Sequence, residues 1–358
     1  MVCGGAETRT MEIYRRIDKK KVQFDFLTLI DEVGYYDKEI YNLGGKIYTA
    51  TPPKENLFLH LKEVYEIINN QGPFYAVHAH TSLHSGLILL IAYLSNVKVR
   101  ISHSRTSSGQ NNSFYRKIYI KIMKILIKYC ATDLVACSKL AADYLFDNSN
   151  RDIRIIENAI DFNRFKELEN RNLSLRKKLN IDKDDFIIGH VGSFRKVKNH
   201  QFILKILKKL ESYDKKYKMV FVGTGKLFDD INNQTKKVDF GKKTLFLGQR
   251  SDVPELMAMF DLLLLPSLYE GLPGVIVEAQ AAGTPCFLSD NITEEVDAGL
   301  NLLKFLSLKN ENKWAEMINN AQKKQEIDKE KIYMKFKENN FNVESSIDSF
   351  YQLYNIEK

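Results

Sequence analysis

Long apolar runs are missing from this chain. Its most hydrophobic window, Gly86 to Leu94 (GLILLIAYL), is far short of the roughly 20 residues that span a bilayer, so it reads as a buried helix. The N-terminus has no apolar core segment, so no signal peptide is expected. Cysteine is scarce: Cys3, Cys130, Cys137 and Cys286 are scattered, with no CxxC and no His–Cys cluster. That pattern argues against a structural zinc site and predicts reduced thiols in a cytoplasmic protein. Fixed-period repeats and low-complexity tracts are absent as well. The GTG at Gly223–Gly225 lacks the full GxGxxG fingerprint, so a dinucleotide site is not argued from it.

What is present is a globular composition. The 358 residues, 44% hydrophobic and 27% charged, suffice for two domains with large cores. A net charge of +8 suits acidic partners: nucleic acid, an anionic membrane surface or phosphorylated substrates. The polar stretch 168–185 (LENRNLSLRKKLNIDKDD) places the boundary between domains at 1–167 and 168–340, with residues 341–358 a terminal segment built on an amphipathic helix.

The most informative stretch is 261–290, DLLLLPSLYEGLPGVIVEAQAAGTPCFLSD. Leu262 to Leu265 reads as a buried parallel strand, ended by Pro266 and Ser267. A loop with Glu270, Gly271 and Gly274 leads into a helix carrying Val277, Glu278 and Ala281, which Gly283 and Pro285 stop. Cys286 to Leu288 starts the next strand. A glycine-bearing loop at the carboxyl end of such a strand is where open α/β sheets bind ligands, and the following helix start suits a phosphate. Glu270 and Glu278, eight residues apart, can each accept two hydrogen bonds from a sugar diol. A nucleotide-sugar pocket fits this pattern. So does a loop glutamate and a solvated helix glutamate beside an ordinary turn.

A second loop, GSFRKVKNH from Gly192 to His200, follows the predicted strand Phe186–Val191 and enters a helix. Arg195, Lys196 and Lys198 put positive charge at the positive end of a helix dipole, which makes sense when an anion lies between them. Solvated surface lysines explain it as well.

In the first half, strands are expected at Val22–Leu29, Ile47–Tyr48, Phe74–Val77 and Val97–Ile101. A helix over Asn56–Ile68 aligns Leu57, Leu61, Val64, Tyr65 and Ile68. Two of these strands deliver His80 and His103 to one sheet edge, where paired histidines point toward a site; His78 and His84 read as structural. Gly4-Gly5 opens a helix with Met11, Tyr14 and Ile17 on one face, with no strand before it. Residues 113–130 (SFYRKIYIKIMKILIKYC) interleave basic and apolar residues, the composition of an interfacial helix or of a core helix with one solvated face.

The segment EGLPGVIVE matches the E-x7-E motif of retaining glycosyltransferases of family 4, and PSLYEGLPGVIVEAQAAGTP resembles the bacterial capsule and exopolysaccharide-assembly branch ("glycosyltransferase group 1"). VHAHTSLHSG and VRISHSR resemble family segments, and NAIDFNRF is similar to the interdomain NGID segment. The resemblance covers nearly the whole chain. It implies an α/β, GT-B fold: two Rossmann-like domains facing across a cleft, the terminal helix packing back on the N-terminal domain. Family members usually carry a first strand ahead of the position of Gly4-Gly5. Its apparent absence here suggests translation from an upstream start or a truncated chain, which leaves a non-catalytic sugar-nucleotide-binding product as one alternative and a nucleotide-sugar 2-epimerase as another.

The reaction implied is transfer of a hexosyl group from a nucleoside-diphosphate sugar, a UDP-sugar first, to a glycan or lipid-linked oligosaccharide with retention. The resemblance assigns His103, Glu270, Lys198 and Arg195 to catalysis, with Lys198 and Arg195 on the leaving diphosphate, Glu270 on the sugar and His103 beside it. It assigns Gly4, Gly5, Gly192, Ser193, Arg250, Gly271, Leu272, Pro273, Gly274 and Glu278 to the donor, and His80 to the acceptor side. Ser193 stands where the family has arginine, and Arg195 is the candidate substitute. No cofactor or metal is expected; Asp182 and Asp184 sit in a charged stretch, not beside a glycine loop. Nucleic acid is not an expected partner. The expected place is the cytoplasm, with residues 113–130 touching the inner face of the plasma membrane.

Overall fold

The computed structural model describes residues 1, 4–107, 114–147, 149–166, 168–237, 240 and 243–356, with only the backbone of 169–173. Cys3 and Ser113 lie outside the described residues. Contacts divide the chain into two compact units, Met1–Ala159 with Val343–Lys358, and Ile160–Asn342.

The first unit opens with α1 (Gly5–Arg16), then β1 (Phe26–Thr28), α2 (Asp37–Asn42), β2 (Ile47–Thr49) and α3 (Leu57–Asn70). It continues with β3 (Ala76–Ala79), α4 (Ser85–Leu94), β4 (Val99–Ser104), α5 (Phe114–Cys130), β5 (Asp133–Ala136), α6 (Lys139–Phe146) and β6 (Ile153–Ile155). Met11 and Tyr14 on one face of α1, and Ile17 at its C-cap, are fully buried, as the helical spacing requires. Gly86 lets α4 approach α5: a Cβ there would lie 2.8 Å from the Met123 carbonyl oxygen.

Two local expectations are corrected. Val22–Leu29 forms a strand only at Phe26–Thr28, because β1 pairs with β2 over three residues and, among the described residues, has no strand on its other side. Phe24 instead stacks on Tyr14 at 5.3 Å. Along α3, Leu57 and Tyr65 are about half exposed, at 47% and 49%. Asn56 caps the helix through the Leu59 amide, and His60, Val64 and Ile68 face inward. The histidine takes a core position because both ring nitrogens are bonded, one to the Thr51 carbonyl and one to His84.

The second unit holds α7 (Glu169–Lys178), β7 (Phe186–Val191), α8 (His200–Leu210), β8 (Tyr217–Val222), α9 (Phe228–Thr235), β9 (Thr244–Phe246) and α10 (Val253–Met259). It ends with β10 (Leu262–Leu265), α11 (Gly274–Ala281), β11 (Cys286–Ser289), β12 (Leu303–Leu306), α12 (Glu311–Asn320) and α13 (Lys329–Glu338). The polar stretch 168–185 folds in part as α7, with Leu175 buried, so the compact units divide at Ala159 and Ile160, ahead of the 167/168 boundary drawn from composition. The chain then returns to the first unit as α14 (Val343–Leu353), whose Val343, Phe350 and Leu353 share a core with Met11, Tyr14 and Ile17 of α1.

The second unit's sheet is parallel, in the order β12-β11-β10-β7-β8-β9. Its first strand lies between its second and fourth, so successive connections depart to opposite sides at β7 and β10. The first unit has β1-β2 and β3-β4-β5-β6 as separate parallel sheets. Where the second unit has β7, the described residues of the first place no strand. A cavity of about 1040 Å³ opens there, with Phe24, Phe26, Val64, Ile68, Ala76 and His78 in its walls.

Candidate active site

The switch point between β7 and β10 gathers the second unit's polar loops. β7 ends at Val191 and hands over to Gly192–Asn199; β10 ends at Leu265 and hands over to Pro266–Pro273. All four residues of β10 are buried, so this loop starts from a rigid base. Lys198 lies in a short 3-10 turn, Lys196–Lys198, closed by Asn199 in the left-handed conformation at φ 55°. Asn199 is fixed by its amide donating to the Pro266 carbonyl at 3.1 Å, which ties the two loops together. Lys198 Nζ donates to Glu270 Oε1 at 2.6 Å, and both side chains are mostly buried, at 12% and 16% exposure. Gly274 begins α11, so the helix's positive end faces the loop that carries Glu270. Glu278 sits one turn further on, half-buried.

Beneath this pair lie two neutral histidines. His190 Nδ1–H donates to the Leu264 carbonyl at 2.9 Å, and burial holds the ring well below its usual pKa. His200 stacks on Phe194 at 4.2 Å, and burial lowers it to about 4. The GTG loop packs against Gly192: a Cβ on Gly223, at φ 129°, would overlap the Gly192 carbonyl, so only glycine fits. Phe194 N–H donates to the Thr224 carbonyl at 2.9 Å, completing the support.

The first unit carries a separate cluster at the carboxyl ends of β3 and β4. Parallel register sets His78 opposite Ile101, which brings His78, His80 and His103 to one place. Their ring nitrogens come within 4.8 Å of one another. His78 Nε2 and His103 Nδ1 share a hydrogen bond of 3.0 Å, and His78 Nδ1 bonds the Tyr354 hydroxyl at 2.9 Å. Arg105 Nε donates to His80 Nδ1 at 3.1 Å, and its Nη1 donates to Asn158 Oδ1 at 2.9 Å. Burial lowers Arg105 to about 10, which leaves it charged at neutral pH. Burial, then the Arg105 charge, lowers His78 to about 3 and His103 well below the usual value. Three neutral rings could ligate a metal, but the guanidinium opposes a cation, and its bond to Nδ1 leaves the His80 proton on Nε2.

Comparison with known proteins bears on both units. The family model described as Glycosyltransferase Family 4 matches residues 3–164, and Glycosyl transferases group 1 matches residues 172–296. The Bacillus subtilis (strain 168) protein EpsF, named as a glycosyltransferase, is 38% identical over 359 residues, covering 99% of this chain and 94% of its own. The chain belongs to the family 4 glycosyltransferases. The Staphylococcus aureus capsular polysaccharide biosynthesis glycosyltransferase CapH is 27% identical over 304 residues, 81% of this chain and 79% of that one. Anabaena HepE, solved in complex with UDP and glucose, superposes with a TM-score of 0.80 at 19% identity, covering 98% of this chain and 95% of that one. The fold of this glycosyltransferase is therefore GT-B.

Within the glycosyltransferase, the residues expected from the sequence fall into four groups. Glu270, Lys198, Gly192, Gly271, Leu272, Pro273, Gly274 and Glu278 come from the β7 and β10 loops and α11. Arg195 and Ser193 lie on the β7 loop but bond each other, Nε to Oγ at 2.9 Å. Arg250, after β9, makes a two-point bond to Asp252 at 2.8 and 2.6 Å. In the first unit, His80 and His103 meet, and Gly4 and Gly5 open α1. His78, read as structural, is bonded directly to His103. Arg105, Tyr354, His190 and His200 were not foreseen. Only VRISHSR held a signal for one of them, an arginine two residues beyond a candidate histidine.

Proposed function

We propose that this glycosyltransferase moves a hexosyl group from a UDP-sugar to a glycan or lipid-linked oligosaccharide, with retention, in capsule or exopolysaccharide synthesis. The observation that carries the proposal is the Lys198–Glu270 pair, 2.6 Å apart at the β7–β10 switch point and facing the start of α11. An ammonium, a helix start and a nearby guanidinium on Arg195 suit a leaving diphosphate. Glu270 then accepts from sugar hydroxyls, Glu278 accepts from ribose, and His103 contacts the sugar. HepE, of the same fold, has been solved in complex with UDP and glucose. Cations already at the loop make a metal unnecessary. The test is a screen of nucleotide sugars, with and without EDTA, reading released UDP, product and anomeric configuration. Metal-independent release and transfer from a UDP-hexose, with retention, is expected. Release only with added magnesium or manganese, inversion, or conversion to an epimer without transfer would overturn the reading.

Glu278→Gln keeps the side chain's shape and removes the charge that accepts from ribose. A charge-assisted hydrogen bond contributes roughly 1.5–3 kcal/mol, so UDP should bind roughly 10- to 150-fold more weakly. Calorimetric titration with UDP checks this, and unchanged affinity would remove Glu278 from the ribose.

We also propose contact with an anionic membrane through α5. Among the described residues no helix is long and apolar enough to cross a membrane. Yet α5 leaves Phe114, Tyr115, Ile118, Ile122, Ile125 and Tyr129 exposed, while Met123, Ile127 and Cys130 face the core. Its basic residues lie among that apolar surface, the pattern of an interfacial helix. Co-sedimentation with vesicles containing phosphatidylserine is expected at low salt and should fall as salt rises, since each basic residue near the surface contributes about 1 kcal/mol. Ile122→Glu with Tyr129→Glu should abolish it. Absence of binding at low salt would return α5 to an ordinary surface helix.

A further inference from the structure

Tyr354 follows α14, yet its hydroxyl reaches the histidine cluster, and the geometry there has a direction. Among the described residues the hydroxyl has one partner, His78 Nδ1 at 2.9 Å. A phenol with a single partner satisfies its proton only by donating, and its oxygen is the weaker acceptor because its lone pair is delocalised into the ring. If Tyr354 donates, His78 Nδ1 carries no proton and His78 holds its proton on Nε2. That proton points at His103 Nδ1, 3.0 Å away. His103 Nδ1 is then an acceptor, and the His103 proton sits on Nε2. This last nitrogen is buried and has no hydrogen-bond partner in the described structure. A buried polar atom left open in this way costs stability unless something binds it.

We propose that Tyr354 is a positioning residue that acts through His78 to hold His103 in its Nε2–H form, presenting a hydrogen-bond donor to a ligand oxygen. Reversing the relay would turn the same nitrogen into an acceptor. The neutral state of all three rings keeps the order intact across physiological pH, because burial and the Arg105 charge oppose a second proton on any of them. His103 in this form donates to a sugar hydroxyl and is not a free base. What it donates to rests on the function proposed above; the tautomer does not.

The experiment is long-range ¹H–¹⁵N correlation on protein labelled at histidine nitrogens, with the His103 signals identified by their loss in His103→Asn. The wild-type spectrum should show His103 with a protonated, pyrrole-type Nε2 and a pyridine-type Nδ1. Tyr354→Phe, which keeps the ring and removes the donor, should shift the His103 population toward Nδ1–H, with the melting curve checking the fold. A wild-type Nδ1–H form, or an identical spectrum in a folded Tyr354→Phe, would overturn the relay. The wild-type spectrum decides the direction even if the variant does not fold. In the same variant kcat/KM for transfer should fall about tenfold while UDP affinity stays constant. A tautomer shift with unchanged kcat/KM keeps the relay and removes His103 from the sugar.

Discussion

Replacing Lys198 with methionine is expected to lower kcat for UDP-sugar turnover by about 100- to 1000-fold, the usual loss when one preorganised donor to a developing charge is removed. Lys198 is held where it can do this: mostly buried, on a turn tied to the β10 loop, 2.6 Å from Glu270. In the ground state the ammonium is shared with Glu270. As the bond to the sugar breaks, negative charge grows on the diphosphate and the interaction with Lys198 strengthens, so kcat should fall more than KM rises. Methionine keeps most of the stem's packing. It also leaves the Glu270 carboxylate without its lysine, so a melting curve should accompany the kinetics, and Glu270→Gln with Lys198→Met tests whether relieving that charge restores stability without restoring rate. A kcat within about threefold of wild type in folded Lys198→Met would remove the loop from the chemistry.

Joining one apolar strand and a short linker ahead of Met1 is expected to raise the melting temperature of the first unit by about 6–12 °C and to reduce aggregation. The basis is the break between β1-β2 and β3-β6, with its cavity of about 1040 Å³. Among the described residues β1 and β3 each pair on one side only, and a strand edge left open is a template for association. Phe24, Phe26 and Ala76 line the gap, and the start of α1 lies beside it. Apolar side chains added there gain about 1.5–3 kcal/mol each, and ordering the new residues offsets much of this. A net gain of about 3 kcal/mol, at roughly 2–4 °C per kcal/mol for a unit of this size, sets the expected shift. The control has lysine and aspartate at the strand positions. Equal melting for the unextended, apolar and charged forms would show that the gap does not take a strand.

Local order made much of the second unit legible. Leu262–Leu265, the Glu270 loop, the helix at Gly274 and the strand at Cys286 follow one another within a single βαβ unit, so period, turn residues and stop signals are contiguous. The GSFRKVKNH loop was legible for the same reason, and both loops lead from β7 and β10 to one edge because parallel strands share an orientation. That Lys198 and Glu270 touch was not legible. They are 72 residues apart, and only the sheet order, which sets β7 beside β10, brings them together.

The first unit shows the opposite balance. The helical face of α1 was evident from its spacing, but the extent of β1 was not, because it is set by the three residues that β2 offers as partners. Residues 113–130 announced a basic, apolar helix; which apolar side chains stay in solvent was decided by α4 packing over Met123. His78 reads as an ordinary strand residue until the fold sets Tyr354, 276 positions later, against one ring nitrogen and His103 against the other. Periodicity and turn chemistry are local properties of a chain, so the sequence by itself determined most of the elements, the family and the two loops. The pairings across those elements depend on sheet order, register and the return of α14, and these only the tertiary structure decided, because each is set by burial of surfaces far apart in the chain.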